Sequence, residues 1–275
     1  MKKSILITGC SSGIGFYCAK ELHQLGYLVI ASCRKEEDVT RLQALGLHCV
    51  KLDLADSKSI SQGLSHALEI SGGKLDYLFN NGAYGQPGAV EDLPTDALRL
   101  QFEANLFGWH DLTTQVIKIM RKQTSGRIIQ NSSVLGLVTL PYRGAYNASK
   151  FALEGLTDTL RLELCNTNIK ICLIEPGPIA SKFRENALTA FLTHIDIENS
   201  AHKDNYLAQQ QRLNSRNKPQ PFTLGPDAVL KVLRHAMESK NPKARYYVTF
   251  PTYLFGFLKR ILSTRLLDKV LNRAK

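Results

Sequence analysis

The chain is 275 residues long, 44% hydrophobic and 21% charged, with a formal net charge of +11 at pH 7. That length buries a substantial core, in one large α/β domain or two small ones, and the composition is that of a globular protein rather than a disordered one. The apolar run Ile5–Ile7 is short and interrupted by Thr8 and Gly9, which excludes a signal segment there and leads to the expectation of a cytoplasmic protein.

In chain order, Ser4–Thr8 predicts a first strand, and Ile14–Leu25 a helix closed by Gly26, a good left-handed cap. Tyr27–Ser32, Glu36–Leu45 and His48–Leu52 predict strand, helix and strand, and Ser57 is placed to cap the next helix. After Gly72-Gly73 come a strand at Leu75–Phe79 and a long helix from Thr95 to about Lys122. Strand Arg127–Asn131, helix Tyr146–Leu164, strand Lys170–Ile174, helix Asp227–Met237 and strand Tyr246–Phe250 complete the alternation. Repeated βαβ units with short crossovers predict an α/β fold, a single doubly wound Rossmann-type domain over residues 1–250 with a parallel sheet of about seven strands flanked by helices.

Two regions do not fit the repeat. Residues 181–222 are polar, include Gln209-Gln210-Gln211 with Pro219 and Pro221, and follow the sixth strand at the carboxyl edge where ligands bind. They read as a mobile substrate lid, the alternative being a surface insertion without a role. In the tail, 251–275, Leu254, Phe255, Leu258, Ile261, Leu262, Leu266, Leu267, Val270 and Leu271 recur at helical spacing. Between them lie Lys259, Arg260, Arg265, Lys269, Arg273 and Lys275 against Asp268 alone, a local charge of +5. Such a basic amphipathic helix docks on its own protein, pairs with another subunit, or lies on an anionic bilayer, and burial in protein is the commonest fate of an apolar stripe. Because the charge clusters beside leucines and not among stacking aromatics, nucleic-acid binding is not expected.

The residues that carry chemistry begin at Thr8-Gly9-Cys10-Ser11-Ser12-Gly13-Ile14-Gly15. A glycine-rich turn from strand to helix lets backbone N–H groups and the positive helix end reach a pyrophosphate without interference from Cβ atoms. Cys10 would sit at a helix N-terminus, where a thiol pKa can fall, yet it reads as a small filler of the loop. The second strand ends in Ala31-Ser32-Cys33-Arg34-Lys35, cations where NAD-selective folds carry an acid, so NADP(H) is the expected cofactor, with Arg34 the better phosphate ligand. Asp53, followed by Leu54, would accept a hydrogen bond from the adenine amino group or simply cap a turn. Asn80-Asn81-Gly82-Ala83 follows the fourth strand and reads as a cofactor contact or as a structural turn. The six cysteines and seven histidines show no C-x-x-C, H-x-x-x-H or H-E-x-x-H spacing, so no metal is expected.

Tyr146 and Lys150 are one helical turn apart, with Ser132 and Ser133 upstream. A phenol with its ordinary pKa of about 10 is a poor base at neutral pH, and a neighbouring ammonium would favour the phenolate. In carbonyl reduction Tyr146 would donate a proton to the oxygen while a serine hydroxyl orients it, and Lys150 would also hold the nicotinamide ribose.

Together these residues resemble the classical short-chain dehydrogenase/reductase family, over roughly Lys3 to Arg184. The resemblance makes Asn105, Ser133, Tyr146 and Lys150 the catalytic set, because the family's serine lies thirteen positions before its tyrosine, and gives Asn105 the task of positioning a water that relays protons to Lys150. It adds Pro176, Gly177, Ile179 and Ser181 to the cofactor contacts, and the Asn-Asn-Ala-Gly motif appears with its last two residues exchanged, as Gly82-Ala83. Tyr146–Leu156 looks most like the hydroxysteroid and retinol dehydrogenase branch, with a comparable resemblance to bacterial aldehyde reductases through Glu175–Ile179. The implied activity is interconversion of a lipophilic alcohol and its aldehyde or ketone, with Leu135, Leu137, Leu140, Pro141 and Tyr142 near the site. Ketoacyl-thioester reduction and non-catalytic NADP(H) sensing are the alternatives. Pairing through the two long helices would give a homodimer or homotetramer.

Overall fold

The computed structural model describes residues 2–214 and 221–273; the stretch of the expected lid that holds Pro219, and the tail's Lys275, lie outside the described residues. β1 (Ser4–Ile7) is buried along its whole length, as a strand covered on both faces must be, which is why it reads as one continuous apolar run. It leads into α1 (Gly13–Gln24), β2 (Leu28–Cys33), α2 (Glu36–Ala44), β3 (His48–Lys51), α3 (Ser57–Ser71) and β4 (Tyr77–Asn80). α4 (Thr95–Phe102) and α5 (Gly108–Lys122) are followed by β5 (Gly126–Asn131), α6 (Gly144–Glu163) and β6 (Ile169–Glu175). The chain closes with α7 (Phe183–His194), α8 (Lys203–Asn214), α9 (Pro226–Glu238), β7 (Arg245–Tyr247), α10 (Phe250–Ile261) and α11 (Thr264–Arg273).

The seven strands lie in the order β3-β2-β1-β4-β5-β6-β7, all parallel, with Ile5 registered against Val29 on one side and Tyr77 on the other. The order reverses direction between β1 and β4, so a crevice opens beyond their carboxyl ends, the usual ligand position in such sheets. Alternation across the pleat divides the core in two. Ile5 and Ile7 face α1, α2 and α9 with Leu22, Leu42, Val229 and Leu233, whereas Leu6 faces α3 and α5 with Ile60, Leu64, Leu112 and Val116.

Several expectations are corrected. α3 is capped by Asp56, whose Oδ1 accepts from the Lys58 N–H at 2.9 Å, and Ser57 is already helical. The helix from Thr95 to Lys122 is interrupted by a π turn at Glu103–Phe107. Phe250 opens α10 instead of ending β7, following Thr249 in an extended conformation. The tail is two helices, not one, because the chain turns extended at Leu262. Apart from these corrections, the segment read as a substrate lid is helical among the described residues, as α7 and α8, with Phe191, Ile195 and Tyr206 packed on Ala89. Its few apolar residues are spread too thinly to announce helices, and they are held by Tyr206, whose hydroxyl donates to Asp92 and accepts from the Ala89 N–H at 2.9 Å. No helix among the described residues is long and apolar enough to cross a membrane.

Candidate active site

The β1–α1 turn forms one wall of the crevice. Gly9 and Gly13 hold positive φ, +70° and +58°, a region L side chains avoid. A Cβ on Gly9 would overlap Gly82, and one on Gly15 would overlap the Gly9 carbonyl. The loop is therefore pressed onto the segment after β4, and Gly82, where the family motif has alanine, lies directly against Gly9. Thr8 Oγ1 accepts from the N–H groups of Asn81 and Gly82 at 2.8 and 2.9 Å, and the Asn81 amide donates back to the Thr8 carbonyl at 3.0 Å. Ser12, the N-cap of α1, is extended and makes no side-chain cap bond, so no hydroxyl competes for the first-turn N–H groups that Ser11, Gly13 and Ile14 surround. This bare, positively polarised helix end, reached through glycines, fits a dinucleotide pyrophosphate. The Cys10 thiol is buried, donates to the Ile7 carbonyl at 3.2 Å, and is pushed far above its ordinary pKa by burial; it is filler.

At the adenosine end, Arg34 and Lys35 are exposed after β2, and the Arg34 charge partly offsets the rise that burial imposes on the Tyr84 phenol. Arg41, not singled out in the sequence, donates to the Ser11 carbonyl at 2.7 Å and pairs with Asp38. Its position on α2, two turns after Arg34, was the available signal. Asp53 Oδ1 accepts from the Ala55 N–H at 3.0 Å, the turn-capping role, and Leu54 Cδ1 lies 2.9 Å from where a Cβ on Gly82 would stand. On the opposite wall, Pro176 accepts from the Val134 N–H at 2.8 Å, a Cβ on Gly177 would overlap Thr249, and Ser181 Cβ lies 3.0 Å from a notional Cβ on Gly13. Ile179 bridges Leu224.

The two serines have different neighbours. Ser133 is extended after β5, its Oγ accepts from the Leu135 N–H at 3.1 Å, and it lies close enough to Tyr146 to pull the phenol's pKa down. Ser132 is turned instead toward Glu154, with Gly136 close against it. Lys150 is 1% exposed, donates to the Asn131 carbonyl at 2.7 Å, and places its ammonium 4.3 Å from the Trp109 ring centre and 5.7 Å from that of Tyr146. Trp109 is in turn fixed by its indole N–H to the Gly82 carbonyl at 2.7 Å. Desolvation lowers Lys150 to about 7, against the opposing charge of Glu154.

One electrostatic expectation is corrected here. The phenol is not drawn toward ionisation: burial raises Tyr146 to about 12, with Ser133 and Arg143 pulling it partly back. Phe183, from the start of α7, covers the ring edge-on at 5.4 Å. The lysine charge is engaged by a carbonyl and an indole, and the phenol is held protonated at neutral pH. Asn105 lies in the π turn, a common device at functional sites. Its amide donates to the Tyr84 carbonyl at 2.8 Å and accepts from the Tyr84 N–H at 3.2 Å, so it fixes the loop that runs beside the phenol.

Two further features went unread in the sequence. Arg245 of β7 gathers three acids, the buried Glu154 at 3.0 Å and Glu175 at 3.0 Å and the half-exposed Asp158 at 2.6 Å. Glu175 is fully buried and is pushed up to about 9 by burial, then by the Glu154 charge. The cluster thus joins the Lys150 helix to the carboxyl ends of β6 and β7. The second feature is a cavity of about 630 Å³ whose lining includes Val90, Leu140, Pro141, Tyr142 and Phe151, and whose far wall is Leu271 of the tail.

A sequence model described as short chain dehydrogenase matches residues 3–190. The chain is 40% identical over 271 residues to the oxidoreductase YbbO of Escherichia coli, covering 98% of this chain and 94% of that one. It is 34% identical over 244 residues to a 3-ketodihydrosphingosine reductase of Bacteroides thetaiotaomicron, covering 88% and 86%. A crystal structure of a short-chain dehydrogenase/reductase from Burkholderia phymatum in complex with NAD superposes with a TM-score of 0.79 at 26% identity, over 98% of this chain and 95% of that one. A Rossmann sheet with a glycine cradle, a phenol beside a serine and a lysine one turn along, matched over most of its length by these proteins, places the chain in the short-chain dehydrogenase/reductase family of nicotinamide-dependent oxidoreductases.

Proposed function

We propose that the protein is an NADP(H)-dependent reductase of lipophilic aldehydes or ketones, with Tyr146 as the proton donor. The observation that carries this reading is the Tyr146 phenol beside Ser133, with the buried Lys150 ammonium one helical turn along and 5.7 Å from its ring centre, an arrangement that suits a group that must give a proton away. When bound, the dinucleotide supplies the hydride received by the carbonyl carbon. The Gly9–Gly15 turn would hold its pyrophosphate, Arg34 with Lys35 its 2′-phosphate, and Lys150 its nicotinamide ribose.

The chain's own residues do the rest. Ser133 orients the substrate oxygen, and the Tyr146 O–H bond breaks as a new O–H bond forms on that oxygen. The tyrosinate left behind is reprotonated from the Lys150 side, along a water that the Asn105 turn positions. Phe183, over the phenol, excludes bulk water and favours an apolar substrate. The relative named for reduction of 3-ketodihydrosphingosine supports a lipid-like ketone. The reading expects pairing through α5 and α6.

The test is NADPH oxidation with long-chain aldehydes and ketones beside an acetoacetyl thioester. Faster turnover of the long-chain carbonyls is expected. Preference for the thioester would overturn the substrate class, and NADPH binding without turnover of any carbonyl would overturn the enzyme.

A further inference from the structure

We propose that the outward face of α10 docks the protein on an anionic lipid bilayer, with α11 supplying the cations that meet its headgroups. Phe250, Tyr253, Leu254, Phe257 and Ile261 fall on one face of the helix and are 57%, 58%, 38%, 60% and 59% exposed. At 3.6 residues per turn they form a single stripe roughly 100° wide. This is not the inward face left uncovered, because the inward face is occupied. Thr252 and Gly256 are buried, Thr252 bonds Thr249 at 3.2 Å, and a Cβ on Gly256 would come 2.7 Å from the Tyr247 ring. Phe222, 57% exposed, stacks on Phe250 at 5.0 Å and extends the patch toward the segment that follows α8.

The charge selects the occupant. On α11 Leu271 points inward and is buried, whereas Arg265, Lys269 and Arg273, at successive four-residue steps, are exposed. From Lys259 to Arg273 five cations face Asp268 alone. A second copy seated on the same patch across a two-fold axis would bring two such sets together, on chains that each carry +11, and like charges disfavour that arrangement. An anionic bilayer complements it, with aromatic and aliphatic side chains entering the interface and cations remaining at the headgroups. The inward face of α10, through Thr249 and Thr252, abuts Gly177. The docking does not depend on the substrate assignment.

The experiment is sedimentation of the full chain with phosphatidylcholine vesicles with and without phosphatidylglycerol. Binding is expected only with the anionic lipid, weakening as salt rises. Arg265→Gln with Lys269→Gln is expected to lower the partition coefficient roughly 25-fold, about fivefold for each cation near the surface. Phe250→Ser with Phe257→Ser should abolish binding while leaving NADPH affinity unchanged, the thermal midpoint falling only by the lost Phe222–Phe250 contact. Partitioning that ignores lipid charge or these substitutions overturns the proposal. So does a concentration-dependent dimer that the phenylalanine substitutions dissociate, which would make a second copy the occupant.

Discussion

Replacing Glu175 with glutamine reads out directly whether the buried acid behind Lys150 is neutral. Glu175 is fully buried, 3.0 Å from Arg245, and raised from 4.5 to about 9. The folded protein therefore keeps a proton that the unfolded chain releases above its ordinary carboxyl range. Stability from this group is complete below pH 4.5 and is lost as pH climbs toward 9. Within that window one extra proton in the native state corresponds to about 1.4 kcal/mol per pH unit. From pH 6 to pH 8 the wild type should lose on the order of 2–3 kcal/mol that Glu175→Gln does not lose, since glutamine cannot titrate. Urea unfolding of both proteins at the two pH values measures the difference, and the variant should gain on the wild type as pH rises. Parallel stability curves would mean that Glu175 is ionised in the fold and that Arg245 simply pairs with three carboxylates.

Arg245→Met removes the partner of Glu154, Asp158 and Glu175 together; a loss of about 3–5 kcal/mol is expected in urea unfolding, and a loss below 1 kcal/mol would show the cluster to be well solvated. Arg34→Ala should raise the KM for NADPH more than that for NADH, whereas equal effects would count against a 2′-phosphate contact. Gly13→Ala places a side chain at φ +58°, with Ser181 Cβ 3.0 Å away, and should weaken dinucleotide binding in a fluorescence titration; unchanged affinity would move the pyrophosphate elsewhere.

What was legible in the sequence was local. The glycine turn, the Tyr146–Lys150 spacing and the cations after β2 each lie on one element or one turn, and their chemistry follows from spacing that a helix or a strand end preserves. Ser133 could be chosen over Ser132 only through family spacing; the physical reason, Ser132 facing Glu154, needed the fold. Trp109 beneath the Lys150 ammonium and Phe183 over the phenol are brought in by the order of the sheet and by the start of α7, and neither carries a local signature. Glu154, Glu175 and Arg245 lie on α6, β6 and β7 and meet only because the last two strands are neighbours. The expected effect of Lys150 on the phenol failed because spacing along a helix says nothing about desolvation, which dominates both groups.

The central claim is that the Tyr146 hydroxyl delivers the proton in carbonyl reduction. Single-turnover NADPH oxidation with a saturating long-chain aldehyde, comparing wild type with Tyr146→Phe, tests it most directly. The account predicts a loss of about 10²- to 10⁴-fold in the rate of the chemical step with NADPH affinity unchanged. A Tyr146→Phe enzyme that turns over at the wild-type rate would contradict it.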